Sequence, residues 1–343
     1  MSQPVDAMPI VKLENVEMNF YKGSGLLGKR KAFNALHNIN FQINPGEVAV
    51  IVGESGSGKS TLANVIAGLL VPSEGVCKFH GVDLQTMDKK QYVNYRNNIQ
   101  MIQQDSYAAL NPMRLMIKNL GDPLLLKKYA TKKNITEKVS EALKVVELTP
   151  PENFINKYSH QLSGGQRQRA LIARAVSMSP ELMLADEPVS MIDVSLRVSI
   201  LNLIAKLNQE RNIAIMYITH DLATARYVGK NGRIAVMYLG EIVETGNVQE
   251  VLANPRHPYL RALLLAVPIP NPRLAKRTRE VALADADLPD TSNMPTGCRF
   301  HTRCIYAKEV CKTKAPEAVQ RGASLVSCHL VDELPEFKLY AEK

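Results

Sequence analysis

The chain has 343 residues, with 42 lysines and arginines against 33 aspartates and glutamates, a formal charge of +9, and 45% hydrophobic residues. That length can bury a full core spread over two or three lobes, while no apolar run approaches the roughly 18 residues that cross a bilayer, so membrane association must come through a partner. The polar N-terminus does not read as a signal peptide, and the basic clusters Lys29–Lys31, Lys127–Lys128, Lys132–Lys133 and Arg273–Arg279 lack the interleaved aromatics of a nucleic-acid surface, so they read as solvated loops and tail.

From about Val11 to Tyr95 the punctuation predicts short strands around one apolar run, Val48–Val52, which follows the turn Asn44-Pro45-Gly46. Next comes Gly53-Glu-Ser55-Gly56-Ser-Gly58-Lys59-Ser60-Thr61. Glycines at 53, 56 and 58 let the backbone wrap a phosphate closely, and the free N–H groups of a following helix point inward. Lys59 would reach the β- and γ-phosphates of a nucleoside triphosphate, the Ser60 hydroxyl would ligate Mg2+, and Ser55 and Thr61 belong to the same cradle. The stretch Ser60–Leu70 is predicted as a helix with Leu62, Val65, Ile66, Leu69 and Leu70 on one face.

Residues from about 99 to 160 are charged and helix-rich, with Val139, Leu143 and Val146 in an amphipathic stretch. Then Leu162-Ser163-Gly164-Gly165-Gln166 opens a second helix; Ser163 can cap it while the glycines leave its N–H groups accessible to phosphate. Leu182–Ala185 suits a strand buried on both faces and ends in Asp186 and Glu187, placed to contact the Mg2+ shell and to polarise an attacking water. The core continues to about Val251 and closes with a hairpin, Ile234–Gly240 followed by Glu241–Glu244.

The run Leu162–Gln166, lying between the two nucleotide motifs, resembles the LSGGQ signature of the ATP-binding-cassette (ABC) ATPases. The resemblance implies an α/β fold: a P-loop NTPase (RecA-like) core with an antiparallel β-subdomain and an inserted α-helical subdomain. It implies that Gln104 joins core to helical subdomain and senses Mg2+, with Gln103 as the alternative register. Asp193 would communicate across a dimer, although Met191-Ile192 stands where the family usually has Ala-Leu. His220, after an apolar strand from Ile213, would contact the γ-phosphate, and Phe20 would stack on adenine.

The final ninety residues narrow the resemblance. Asn254–Pro268 is similar to the extension of ATPases of oligopeptide, dipeptide and nickel importers. A Pro- and Arg-rich linker, Pro268–Arg279, then leads to Cys298, Cys304, Cys311 and Cys328, four of the chain's five cysteines. Clustered cysteines without an export signal point to metal rather than disulfides, and gaps of five, six and sixteen residues leave zinc, iron–sulfur and free thiols open. The family resemblance implies a [4Fe–4S] cluster, with zinc as the alternative, stapling a small tail lobe whose loss should spare ATP binding. Cys77, alone in the core, reads as a small buried residue.

These readings give an ABC ATPase domain over residues 9–260, its helical subdomain at about 99–161, and a metal-stapled extension over 261–343. The implied function is ATP hydrolysis coupled to import of dipeptides or oligopeptides. Its implied site is peripheral, on the cytoplasmic face of the membrane. Implied partners are a second ABC ATPase subunit, two membrane permease subunits and an external solute-binding protein, with no nucleic acid. Import of nickel or oligosaccharide, and a soluble ABC ATPase acting on ribosomes or nucleic acid, are the competing expectations.

Overall fold

The computed structural model describes residues 8–22, 31–267, 283–290 and 294–339. The linker Pro268–Arg279, its basic run, and Lys29–Arg30 lie outside them. Strands β1 (Val11–Lys22) and β2 (Lys31–Ile43) pair antiparallel. Strand β3 (Val48–Val52) leads through the glycine-rich loop into helix α1 (Lys59–Ile66). Strands β4 (Glu74–Phe79) and β5 (Val82–Asp83) complete a four-stranded sheet of order β2-β1-β4-β5.

Helix α1 is shorter than its apolar periodicity predicts. Gly68 adopts φ +65, a Cβ there would lie 2.8 Å from the Tyr95 ring, and the Tyr95 hydroxyl donates to the Ile66 carbonyl. The chain therefore turns before Leu69, which is 51% exposed rather than on the buried face.

Helix α2 (Lys89–Asn98) is followed by β6 (Ile99–Ile102), which pairs parallel with β7 (Leu182–Asp186). Residues 99–102, expected at the start of the helical segment, are thus an edge strand of the core, because Ile99 and Ile102 bury themselves against the sheet. The helical segment comprises α3 (Ser106–Ala109), α4 (Met116–Leu126), α5 (Ile135–Val145) and α6 (Glu152–Ile155), and α7 (Gly164–Val176) packs against the first three. Val139, Leu143 and Val146 are fully buried in the cluster these helices share with the core sheet.

The remaining elements are α8 (Val194–Arg211), β8 (Ala214–Thr219), α9 (Leu222–Val228), β9 (Arg233–Tyr238), β10 (Glu241–Asn247), α10 (Val248–Ala253) and α11 (Pro258–Ala266). The tail adds β11 (Ala318–Arg321) and β12 (Ser324–Ser327). Strand β12 pairs antiparallel with β10, so the second sheet has eight strands in the order β11-β12-β10-β9-β3-β8-β7-β6. The tail is therefore no separate lobe: Phe300 lies in the main core cluster and the last two strands extend the core sheet. Strands β3, β6, β7, β8 and β9 run parallel, which brings the ends of β3, β7 and β8 to one edge. Among the described residues no helix is long and apolar enough to cross a membrane.

Helix α11 is anchored by His257, whose N–H donates to Glu244 (2.7 Å) and whose Nδ1 accepts from the Tyr259 N–H (3.1 Å). Burial drives the ring's pKa down from 6.5 to about 3, since no charge is tolerated there. The unfolded chain binds a proton that the folded ring refuses, so the contribution of neutral His257 is complete above pH 6.5 and is lost as pH falls towards about 3. Across that window the wild type should lose stability relative to His257→Asn by up to about 1.4 kcal/mol per pH unit. Urea midpoints measured at several pH values check this; parallel profiles would show that the folded ring takes up protons freely.

Candidate functional site

The glycine-rich loop is shaped by contacts that only glycine permits. Gly58 caps α1 at φ +99, and a Cβ there would lie 2.6 Å from the Ala35 carbonyl oxygen; one at Gly53 would lie 2.2 Å from that of Met237. The N-terminus of α1 has no side-chain cap, so its first N–H groups are available to an anion. Lys59 is buried, and its ammonium donates to the carbonyls of Gly53 and Glu54, both at 2.8 Å. Burial pulls its pKa down, while the carboxylates of Glu187, Asp186 and Glu54 hold it up.

Strand β7 is buried along its whole length and delivers Asp186 to the same edge. Burial raises the Asp186 pKa and Glu187 adds to the rise, whereas the Ser60 hydroxyl, which donates to the carboxylate, and Lys59 oppose it. Ser60 and Asp186, two of the three expected Mg2+ contacts, are thus already in contact with each other: a hydroxyl and a carboxylate, the hard oxygen donors that Mg2+ prefers.

Glu187 follows at φ +45, a left-handed conformation that costs a non-glycine residue about 1–3 kcal/mol. Its N–H donates to Ile218 of the neighbouring strand (3.0 Å). One carboxylate oxygen accepts from Gln104 Nε2 at 3.0 Å, and the other lies 2.9 Å from His220 Nδ1. Three residues from three separate chain segments therefore meet at one carboxylate.

Ser55, Gly56, Gly58, Lys59, Ser60 and Thr61 share a cleft of about 390 Å³ with Gln104, Glu187 and His220. Gln104 is the register that reaches this cleft, while Gln103 lines a neighbouring groove. The aromatic in the cleft wall is Phe33, not Phe20. Phe20 is its cross-strand partner, stacked at 6.5 Å between ring centroids, so β1–β2 pairing passes the wall position to a residue that the adjacent aromatics Phe20-Tyr21 do not reveal.

Ser163 caps α7 by accepting from the Gln166 N–H (3.3 Å), and Gln166 Oε1 accepts from the Ser163 N–H (3.1 Å). A Cβ on Gly164 would meet nothing within 4 Å, while one on Gly165 would touch Leu196. Asp193 begins α8 without a side-chain capping bond. None of Ser163, Gly164, Gly165, Gln166 or Asp193 lines the cleft. The candidate residues thus fall into two groups on the same chain.

Comparison with known proteins places the chain in one family. The ABC transporter family profile matches residues 36–190, and that of the oligopeptide/dipeptide transporter C-terminal region matches residues 243–311. The chain is 40% identical over 324 residues to the oligopeptide transport ATP-binding protein AppF of Bacillus subtilis (strain 168), covering 94% of this chain and 97% of that protein. The chain belongs to the ABC transporter ATPases.

A second relative, the oligopeptide transport ATP-binding protein OppF of Haemophilus influenzae, is 40% identical over 302 residues, 88% of this chain and 90% of that protein. A solved ATP-binding cassette, a dimer in a post-hydrolysis state bound to ADP and phosphate, is 33% identical with a TM-score of 0.60, covering 69% of this chain and 98% of that one. The cassette is accordingly an ATPase that uses ATP with Mg2+, built on the α/β core expected from its motifs.

In the tail of the cassette, Cys311 is buried and Cys298, Cys304 and Cys328 are partly buried. Burial pushes the Cys298 thiol up to about 12 and the Cys328 thiol to about 11, and raises Cys304 as well. Backbone N–H groups oppose this: Phe300 donates to the Cys298 sulfur, Tyr306 and Ala307 to Cys304, and Leu330 to Cys328. Cys298 lies within charge–charge range of Cys311 and Cys328, and Cys304 within range of Cys311 and Cys328. Among the described residues no three His, Cys, Asp or Glu side chains close tightly enough to hold a single metal ion.

If Phe33 forms the aromatic wall, Phe33→Ala should weaken ATP binding at least about fivefold, the loss expected when a base loses its stacking partner. Phe20→Ala should cost less. Titration with a fluorescent ATP analogue ranks the two, and the reverse order would return the wall to Phe20.

Proposed function

We propose that this chain couples ATP hydrolysis to the import of dipeptides or oligopeptides, and that the contact of Gln104 and His220 with Glu187 marks its hydrolytic centre. Lys59 and the first turn of α1 bind the phosphates; Ser60, Asp186 and Gln104 would hold Mg2+, which when bound supplies positive charge to the phosphate oxygens. Glu187 orients and polarises the attacking water, with its carboxylate fixed from both sides by Gln104 and His220. The left-handed backbone at Glu187 supports this reading, because strain of that kind is kept where a side chain must be aimed.

The second group of residues serves a second nucleotide. Two cassettes pair head to tail, and Ser163, Gly164, Gly165 and Gln166 of one meet the phosphates held by the other, with Asp193 beside that interface. The open space at Gly164 and the dimeric state of the solved relative support this arrangement. The partner is a second ABC ATPase subunit. A permease subunit docks at Tyr107–Pro112, beside Gln104, and the open groove of about 1000 Å³ that Ala109 and Asn111 line supports this reading; with two permease subunits in the transporter, the chain sits peripherally on the cytoplasmic face of the membrane. A solute-binding protein delivers the peptide from outside. Peptide as cargo rests on the C-terminal region at 243–311 and on the named relatives.

Cys298, Cys304, Cys311 and Cys328 are read as ligands of a [4Fe–4S] cluster that staples the tail. Backbone N–H groups that donate to Cys298, Cys304 and Cys328 support it, since hydrogen bonds to the sulfurs are among the means by which a protein holds and tunes such a cluster.

Glu187→Gln should leave ATP affinity within about threefold of wild type while lowering turnover in the assembled transporter by at least about a hundredfold. Near-normal turnover would remove Glu187 from this role.

Protein purified anaerobically should be brown, with about four iron and four sulfide per chain, and Cys304→Ser should bleach it. Colourless protein carrying one zinc would replace the cluster with the zinc alternative, and four freely alkylated thiols in native protein would reject both.

A further inference from the structure

Two arginines of the tail, each next to a cysteine, link it to the phosphate loop, Arg303 directly and Arg299 through the Leu239–Gly240 turn. Arg303, beside Cys304, is 4% exposed and forms a two-pronged ion pair with Glu54, the second residue of the loop, at 2.7 and 3.1 Å. The Glu54 N–H donates to the Tyr259 hydroxyl at 2.8 Å, so α11 and the cysteine turn grip the same loop residue. Tyr259 packs on Phe300 at 5.5 Å between centroids, and the Phe300 carbonyl accepts from the N–H groups of Arg303 and Cys304, both at 3.0 Å. Arg299, beside Cys298, pairs with Glu241 at 2.9 Å and donates to the Leu239 carbonyl. The next residue, Gly240, donates its N–H to Ser57 in the loop at 2.9 Å.

We infer that Arg303 is a positioning residue for ATP binding: it neutralises Glu54 and holds the loop in its phosphate-binding shape, so that the integrity of the cysteine-bearing tail sets nucleotide affinity. The inference rests on the assignment of residues 53–61 to ATP. The geometry explains why the pair is needed. Glu54 shares the loop with Lys59 and acts electrostatically on its ammonium. Without Arg303, the Glu54 carboxylate would stand uncompensated beside Lys59, competing for its charge and repelling the phosphates. The two-pronged geometry also fixes orientation in a way that a lysine cannot. Such a role for Arg303 runs opposite to the expectation that ATP binding is indifferent to the tail.

The test is ATP affinity of the full-length chain, read by equilibrium binding with hydrolysis suppressed. Arg303→Met, which keeps an unbranched apolar side chain but removes the guanidinium that lies over Tyr238 and Phe300, should raise Kd about tenfold, the scale of coupling carried through such contacts. Adding Glu54→Gln should restore Kd to within about threefold of wild type, because it removes the freed charge; simple loss of structure would not be reversed. Arg303→Lys, which keeps the charge and loses the fork, should fall between, and it carries the test should Arg303→Met fail to fold. Wild-type affinity in a folded Arg303→Met or Arg303→Lys chain, or a double variant no better than Arg303→Met, would overturn the inference. Lys59→Ala run alongside separates the failures, since unchanged affinity there would instead overturn the assignment of the loop to ATP.

Discussion

The parallel pairing of β3 with β8, and of β8 with β7, is the constraint from which the rest of the site follows. Parallel strands end at the same edge, so the loop after Val52, the carboxylates at Asp186 and Glu187, and His220 after Thr219 arrive together although more than a hundred residues separate the first from the others. Almost every residue of these strands is buried, which is why they read as continuous apolar runs instead of alternating ones. A polar substitution in Ala49–Val52 would disturb catalysis by moving the floor on which the loop rests.

The electrostatics of the site are a set of offsets. Lys59 is held in a buried position where its charge is costly, and three carboxylates compensate it. Of these, Asp186 and Glu187 are the carboxylates proposed to act on the nucleotide and its Mg2+, and Glu54 is taken up by Arg303. The ion pair between Arg303 and Glu54 is therefore less a stabiliser of the fold than a way of settling how much negative charge Lys59 sees before a phosphate arrives. Buried pairs of this kind contribute little net stability but are expensive to break on one side only.

The parts of the site that could be read in the sequence are those in which the chemistry is carried by consecutive backbone: residues 53–61, 162–166, 182–187 and 217–220. Each is a strand end or a helix start with its ligand-facing groups in a row, and no tertiary information is needed to see it. What escaped depends on register or distance. Phe33 takes the cleft wall because it pairs with Phe20 across two strands. Ile99–Ile102 is a strand because β7, eighty residues on, offers it an edge. The grip of Arg303 on Glu54 spans 249 positions, and neither residue belongs to a motif that would announce the other. The separation of Ser163 and its neighbours from the cleft is not legible in those residues, since a capping box looks the same whether or not a second subunit faces it.

The closing of the sheet by β12 has a consequence for how the chain is made. Strand β10 has one neighbour in β9 and gains its other only when residues 324–327 arrive, long after β10 has left the ribosome. Until then β10 is an open edge, with Ile242 and Val243 on a strand whose free N–H and C=O groups can pair with any extended chain nearby. The finished protein ends its sheet on β11 instead, a four-residue strand on which Arg321 is tied to Asp332 at 2.6 and 2.7 Å. A short border has replaced a longer one. Premature termination before β12 would thus produce not merely a cassette without its tail but a nascent chain with an adhesive flank, vulnerable to aggregation in the interval that the complete protein passes through only once.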